Sequence, residues 1–302
     1  MGSDDIAQQA SKGARLWDGY FINLDRAVER RRRMEEQIGR FGGAGHYQRS
    51  TAVDGRALNR PSACSPGEVG IFRSHMNVLG RIASGRHPGH VMEDDVLLCD
   101  LTAPTIESLI RRSVVDQFDI VFLETYVGTM VSNIARFSCA FREATRNGPI
   151  RSPDQLQILD LGKDYLYGAT SYVASPNGAR KLVALLGAEW ERGPGRPIDD
   201  FIQRATQAGK LRVGCTFPFV TTIDLETASE SNAGRDEAPD LSMLQRFIRY
   251  SFFVRRDIDG YATSMLDRVL ARLPKYEQDE AIDFYIKILS YRLTVPPQPP
   301  KR

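Results

Sequence analysis

The chain is short of several things that would declare a function outright. Its four cysteines, Cys64, Cys99, Cys139 and Cys215, stand far apart and form no Cys-x-x-Cys pair. That argues against a structural zinc site and a disulfide framework and suits a reducing compartment. No Gly-x-Gly-x-x-Gly follows the first strand-like run, and no Gly-Lys-Ser/Thr P-loop occurs, so a dinucleotide dehydrogenase and a P-loop kinase are both poorly supported. No apolar run approaches the length of a membrane span, and the polar first fifteen residues lack the apolar segment of a secretory signal. Met1-Gly2 opens the chain, but Ile6 stands where a myristoylation signal has Ser or Thr. The expected location is the cytoplasm. Charge of one sign is also lacking: 40 basic side chains against 38 acidic ones leave a net charge of +2. Nucleic acid is therefore not an expected partner, and affinity for anions must come from local patches.

What is present suits a globular enzyme: 302 residues, 42% of them hydrophobic and 26% charged. That is enough for one core of about 200 residues and a smaller appendage. Residues 1–16 read as a disordered leader, 17–235 as the main domain and 241–302 as a helical region. In the main domain, strand-like runs alternate with amphipathic helices, which predicts an α/β fold with a mainly parallel sheet.

Gly19 to Leu24 is the first strand candidate, and Asp25 can cap a helix running to about Arg40. Met34, Ile38 and Phe41 share one face of that helix, and Glu29 can pair with Arg33. Arg30 to Arg33 spread around the helix, so they cannot all serve one ligand, yet Arg26 and Arg30 lie near enough to the strand end to reach a phosphate or carboxylate. Asp54, closing Thr51-Ala52-Val53, is either a turn residue or a ligand for a hydroxyl or base edge. Ser65-Pro66-Gly67-Glu68 is a capping box for a helix to about Ala83. His75 flanks its apolar stripe, as a packing residue or a site residue.

Phe118 to Glu124 reads as a strand covered on both faces, with Glu124 a lesser site candidate, and residues 127–155 as loops over the site. Tyr167 to Ala174 is a further strand and Ser175-Pro176 starts a capped helix. Asp199 and Asp200 open a short helix, where carboxylates are good caps. After a strand over Arg212 to Val220, residues 221–239 read as a linker or active-site tail. The basic helix near Phe247 to Phe252 packs on the main domain or a twin subunit, or rests on an anionic membrane surface.

The organising stretch is His90-Val91-Met92-Glu93-Asp94-Asp95-Val96-Leu97-Leu98, an apolar run interrupted by three acids. As a strand, it would put Glu93 and Asp95 on one side and Asp94 on the other. Two carboxylates on one side repel unless a proton or cation joins them. Mg²⁺ or Mn²⁺ suits such oxygen ligands, because these ions take one or two carboxylates and complete their shell with phosphates and water. A solvated acidic turn is the competing reading.

Taken together, the motifs resemble glycosyltransferase family 25, the lipopolysaccharide and lipooligosaccharide β-galactosyltransferases and their collagen-modifying relatives. The resemblance rests on Ile22-Asn23-Leu24 with Glu29-Arg30-Arg31, Ala52-Val53-Asp54-Gly55, Ser65 to Gly70 with Ser74-His75, Met92-Glu93-Asp94-Asp95, Tyr167-Gly168 through Ser175, Gly178-Ala179 and Pro197-Ile198-Asp199-Asp200. It spans about residues 19–225. It implies a GT-A fold, a UDP-sugar donor, usually UDP-galactose, a divalent metal such as Mn²⁺, and inversion at the anomeric carbon. Glu93 and Asp95 would then hold the metal. Asn23, Leu24, Arg26, Arg30, Asp54, His75 and Asp94 would surround the donor nucleotide. Asp199 would be the general base, with Asp200 in reserve, and a lipid-linked or cell-surface glycan the acceptor. A GT-A-like module that binds without turnover is the alternative, and a metal-dependent nucleotidyltransferase the third.

Overall fold

The computed structural model describes residues 15–41, 43, 45–58, 61–127, 131–162, 167–224, 246 and 248–257. The leader up to residue 14, residues 225–239 of the expected linker or tail, and nearly all of the C-terminal helical region lie outside them. The chain divides into a unit of residues 1–255 and another of 256–302, and the sheet and the helices packed on it belong to the first. Among the described residues no helix is long and apolar enough to cross a membrane.

Seven strands form the central sheet: β1 (Asp18–Asn23), β2 (Tyr47–Thr51), β3 (Gly89–Glu93), β5 (Ile120–Phe122), β6 (Gln157–Asp160), β7 (Ser171–Ala174) and β8 (Val213–Phe217). Their order is β2-β1-β3-β7-β5-β8-β6. β7 runs against both neighbours and β6 against β8, while the other five strands share one direction. A second, two-stranded sheet pairs β4 (Val96–Leu97) with β9 (Thr222–Ile223).

Alternation along the strands assigns side chains to the two layers of helices. Tyr20 and Ile22 of β1 and Val91 of β3 join a core with Phe72 and Leu79 of α2 (Pro66–Ser84), Leu182 and Leu186 of α6 (Pro176–Glu191) and Ile202 of α7 (Ile198–Gln207). Phe21 and Met92 point the other way, against Met34 and Ile38 of α1 (Val28–Arg40). Further along the sheet, Val121 and Val173 pack with Ile106 and Leu109 of α3 (Thr102–Arg111) and Val114 and Val115 of the short α4 (Val114–Gln117). The result is a Rossmann-like α/β sandwich with helices on both faces.

The capping box is present as expected: Ser65 accepts from the Glu68 amide, and the Glu68 carboxylate accepts from the Ser65 amide. Ser175 caps α6 by accepting from the Gly178 amide. Asp25 does not cap α1, whose N-cap is Ala27 with no side-chain bond. A turn from Leu24 to Ala27 intervenes, and the Asp25 carboxylate is instead taken by Arg49 Nη2 at 2.5 Å. Residues 131–144, expected as loop, form the helix α5 (Val131–Ala144).

Candidate active site

A cavity of about 150 Å³ opens at the carboxyl ends of β1 and β3. Leu24, Arg26 and Arg30 form one wall, Asp54, Gly55 and Arg56 another, Ile71, Ser74 and His75 of α2 a third, and Glu93, Asp94 and Asp95 the floor. This is where ligands bind in open α/β sheets.

Two glycines set the wall that carries Asp54. A Cβ on Gly55 would lie 1.6 Å from the Pro66 carbonyl oxygen, and one on Gly70 2.5 Å from the Val53 carbonyl oxygen. Only hydrogen in place of a side chain lets the chain around Val53 lie on the first turns of α2. Ser74 Oγ fastens the contact by accepting from the Val53 amide at 2.8 Å while donating to the Gly70 carbonyl at 2.7 Å. Asp54 accepts from the Arg56 amide at 3.1 Å and pairs with Arg26. That amide and then the Arg26 guanidinium hold its carboxyl below the usual value.

The three acids do not alternate as a continuing strand would make them. β3 ends at Glu93, and Asp94 and Asp95 form the turn into β4, so all three side chains reach the same cavity. The turn is pinned from the far end of the chain, because the Asp224 amide donates to the Asp95 carbonyl at 2.7 Å beside the β4-β9 pair.

Each acid has a different environment. Asp94 accepts from Arg30 Nη1 at 3.0 Å and from Asn23 Nδ2 at 2.7 Å, yet burial outweighs these and raises its pKa. Asn23 is itself buried and accepts from Arg49 Nε at 2.9 Å. Glu93 faces His75 Nε2 at 3.3 Å, and the opposite ring nitrogen of His75 meets the Tyr172 hydroxyl at 3.0 Å. Because a carboxylate only accepts, Nε2 carries the proton. Burial works against charge on Glu93, but the His75 bond, with Arg30 and Arg249, outweighs it and keeps that carboxyl below the ordinary value. Asp95 is different again: its Oδ1 is buried with no hydrogen-bond partner among the described residues. Burial, then the charges of Glu93 and Asp94, push its pKa up to about 7 against the pull of Arg30 and Arg246. Among the described residues, the turn thus presents more carboxylates than the cations in contact with it.

A divalent oxygen-seeking cation fits that surplus. Among the described residues no group of three or more His, Cys, Asp or Glu could hold a metal by itself. Mg²⁺ and Mn²⁺ need no such group when a diphosphate supplies further oxygens.

Residues 18–202 match the profile of glycosyltransferase family 25, described as an LPS biosynthesis protein family. The chain belongs to glycosyltransferase family 25. Comparison with curated proteins finds no match. The family match runs from the first residue of β1 into α7, so it includes the whole cavity wall and all three acids of the floor.

The cavity gathers Leu24, Arg26, Arg30, Asp54, His75, Glu93, Asp94 and Asp95 from the expected set. Asn23 stands behind it as the hub that orients Asp94. Asp199 and Asp200 are not in its wall; they lie in the first turn of α7, whose N-cap is Pro197. Asp199 Oδ1 accepts from the Asp200 amide at 3.0 Å, and the Asp200 carboxylate lies between Arg196, at 3.4 Å, and Arg204, at 3.1 Å. Ser62 donates to the Pro194 carbonyl at 2.5 Å, which ties the segment ahead of α7 to the segment ahead of α2. Glu124 is fully buried and has its own partners: Arg249 Nε donates to it at 2.7 Å, and Arg249 Nη2 and Thr170 also bond it.

Sequence reasoning missed Arg49, Tyr172, Asp224 and Arg249. Tyr172 had a signal, being an aromatic in a strand paired with the acidic one. Arg249 had none, because 125 residues separate it from Glu124. A second cavity of about 160 Å³ lies at the amino ends of the parallel strands, lined by Asp116, Asp119, Asn177 and Arg212. Asp119 there is already matched by Lys181 and the Arg212 amide, both at 2.7 Å, so that cavity shows no charge surplus.

Proposed function

We propose that this family member has the GT-A arrangement and moves a sugar, with inversion, from a UDP-sugar to a hydroxyl of a lipid-linked or cell-surface glycan. Galactose is the sugar most in keeping with the family resemblance. The observation that carries the reading is Asp95: a buried carboxylate oxygen without a partner, beside two other acids, on the floor of a cavity edged by arginines. Glu93 and Asp95 would hold Mn²⁺ or Mg²⁺, and His75 fixes the rotamer of Glu93. When bound, such a cation stabilises negative charge on the departing diphosphate.

The remaining work falls to side chains. Arg26 and Arg30 edge the cavity with the cationic forks that suit phosphate oxygens. Asp54 and Leu24 line another part of it, where an acceptor-only carboxylate suits a ribose hydroxyl or base edge. An acceptor hydroxyl must lose its proton as it attacks. Asp199 is the carboxylate we assign to that task, with Asp200 in reserve. It stands in the first turn of α7, outside the wall of the donor cavity. Inversion needs no covalent intermediate, so no activated nucleophile is required.

The test is incubation of the full chain with a panel of UDP-sugars and Mn²⁺. Transfer or slow donor hydrolysis that Asp95→Ala abolishes supports the enzyme. Nucleotide-sugar binding that is independent of metal and unaffected by that change would instead point to a binding module.

A further inference from the structure

The strand order divides the carboxyl edge of the sheet between two substrates. Every wall of the donor cavity comes from β1, the segment after β2, α1 and α2, and the acidic turn after β3 is its floor. Next across the sheet come β7 and β5. A second substrate attacking from beyond the acidic turn must lie over the ends of those two strands.

At that place stand Tyr126, just past β5, and Tyr167, just ahead of β7. Their rings are 5.9 Å apart at the centroids and inclined by 64°. Tyr167 is 40% exposed, and among the described residues Val28 is the only other large hydrophobic side chain so open to solvent. The pair is built from the backbone rather than left loose. The Tyr126 amide donates to the Tyr167 carbonyl at 3.0 Å, and the Thr125 hydroxyl donates to the same oxygen at 3.2 Å. Gly168 follows at φ +100, and a Cβ there would stand 3.3 Å from the Tyr126 amide nitrogen. Glycine alone meets both conditions without strain. Two residues on, the Thr170 carbonyl accepts from the Glu93 amide at 2.9 Å, so the tyrosine segment and the acidic floor are joined directly.

We propose that Tyr126 and Tyr167 form the platform on which a pyranose ring of the acceptor rests. The proposal depends on the glycosyl-transfer reading for its choice of occupant. A hexopyranose has one face made of C–H groups, which suits the electron-rich face of an aromatic ring. The exposed Tyr167 hydroxyl can donate to or accept from the sugar's own hydroxyls at the rim. Two rings offer the area of one or two sugars, well below what a stable protein interface buries. A preformed aromatic ledge also costs little ordering on binding.

The experiment uses the full chain and three proteins: wild type, Tyr167→Ala and Tyr167→Trp. Each is applied to a printed array of pyranose oligosaccharides, and UDP binding with Mn²⁺ is measured separately by calorimetry. The expected result is capture of a subset of oligosaccharides by wild type and by Tyr167→Trp. Tyr167→Ala loses about tenfold in that binding, the scale of one stacked ring, at unchanged UDP affinity and melting temperature. Failure of wild type to bind any oligosaccharide, or equal binding by Tyr167→Ala, overturns the platform. A wild type that binds oligosaccharides through Tyr167 but not UDP would sink the donor reading and leave the platform standing.

Discussion

Two carboxylate sites stand two strands apart at the same edge of the sheet, and they are built on opposite terms. Glu124 at the end of β5 is sealed from solvent and held by both arms of the Arg249 guanidinium and by the Thr170 hydroxyl. Among the described residues, the acidic turn after β3 sets three carboxylates against the Arg30 guanidinium on Asp94 and the His75 ring on Glu93, and leaves a buried Asp95 oxygen without a hydrogen-bond partner. Proteins rarely bury unmatched charge. A site that does so beside an open cavity is poised for a ligand, whereas a site with its charges matched is part of the frame. Acidity at a strand end therefore means little until the cations facing it have been counted.

The largest effect should come from the under-matched site. Asp95→Ala should lower transfer or donor hydrolysis by about 10²–10³-fold, the usual loss when one group stabilising a developing charge is removed, measured with UDP-sugars and Mn²⁺. If activity survives that change, the contrast between the two sites fails. The matched site should instead break the fold. Glu124→Gln or Arg249→Met should each cost about 3–5 kcal/mol in urea unfolding, because the remaining partner stays buried and unpaired.

Arg30→Met tests the boundary between the two kinds of site. It removes the ion pair that Asp94 makes at 3.0 Å with both side chains largely buried, and about 2 kcal/mol of stability should go with it. A gentler test uses pH. The folded-state pKa of Asp95 is raised, to about 7 from an ordinary 3.8, so its ionisation destabilises the metal-free fold. That penalty is absent below about pH 4, grows between pH 4 and 7, and is complete above about pH 7. Asp95→Asn should therefore be the more stable protein in EDTA at about pH 8, by about 1–2 kcal/mol. Its lead should shrink on acidification to about pH 5, and a wild type that stays equally far behind at both values would refute the assignment. The smallest effect is on the exposed face of α1. Arg32, bonded to Glu29 and Glu36 in water, should be replaceable by Ala with no measurable change in melting temperature.

Much of this was legible in the sequence because the signals were local. The capping box at Ser65, the stripe along α2 and the acidic run after Met92 each depend on residues within a turn or two of one another. The run of arginines also divided as spacing suggests, with Arg30 reaching inward and Arg31 and Arg32 pairing with glutamates on their own helix. Local reasoning failed where pairing is distant. The reversed β7 at the centre of the sheet, the pinning of Asp95 by Asp224 and the matching of Glu124 by Arg249 are set by chain crossings that no window of sequence shows. Alternation failed at Asp94 because β3 stops one residue earlier, and a turn has no period of two. The helix at residues 131–144 was missed although Ile134, Phe137 and Phe141 recur at helical spacing, because Met130 ahead of it gives no capping signal to mark its start.

The placement of Arg249 governs how much of the chain must be made before the sheet can settle. It lies 47 residues past the stretch that carries the family signature, which ends at residue 202, yet its guanidinium neutralises a glutamate in the middle of the sheet, and Phe252 beside it completes the ring cluster of Phe137, Phe141, Phe217 and Phe219. A fragment trimmed to the recognisable motifs would leave that glutamate stranded in an apolar interior. On the ribosome, likewise, the nascent sheet must wait for its clasp until Arg249 has been synthesised, 125 residues after the glutamate it holds.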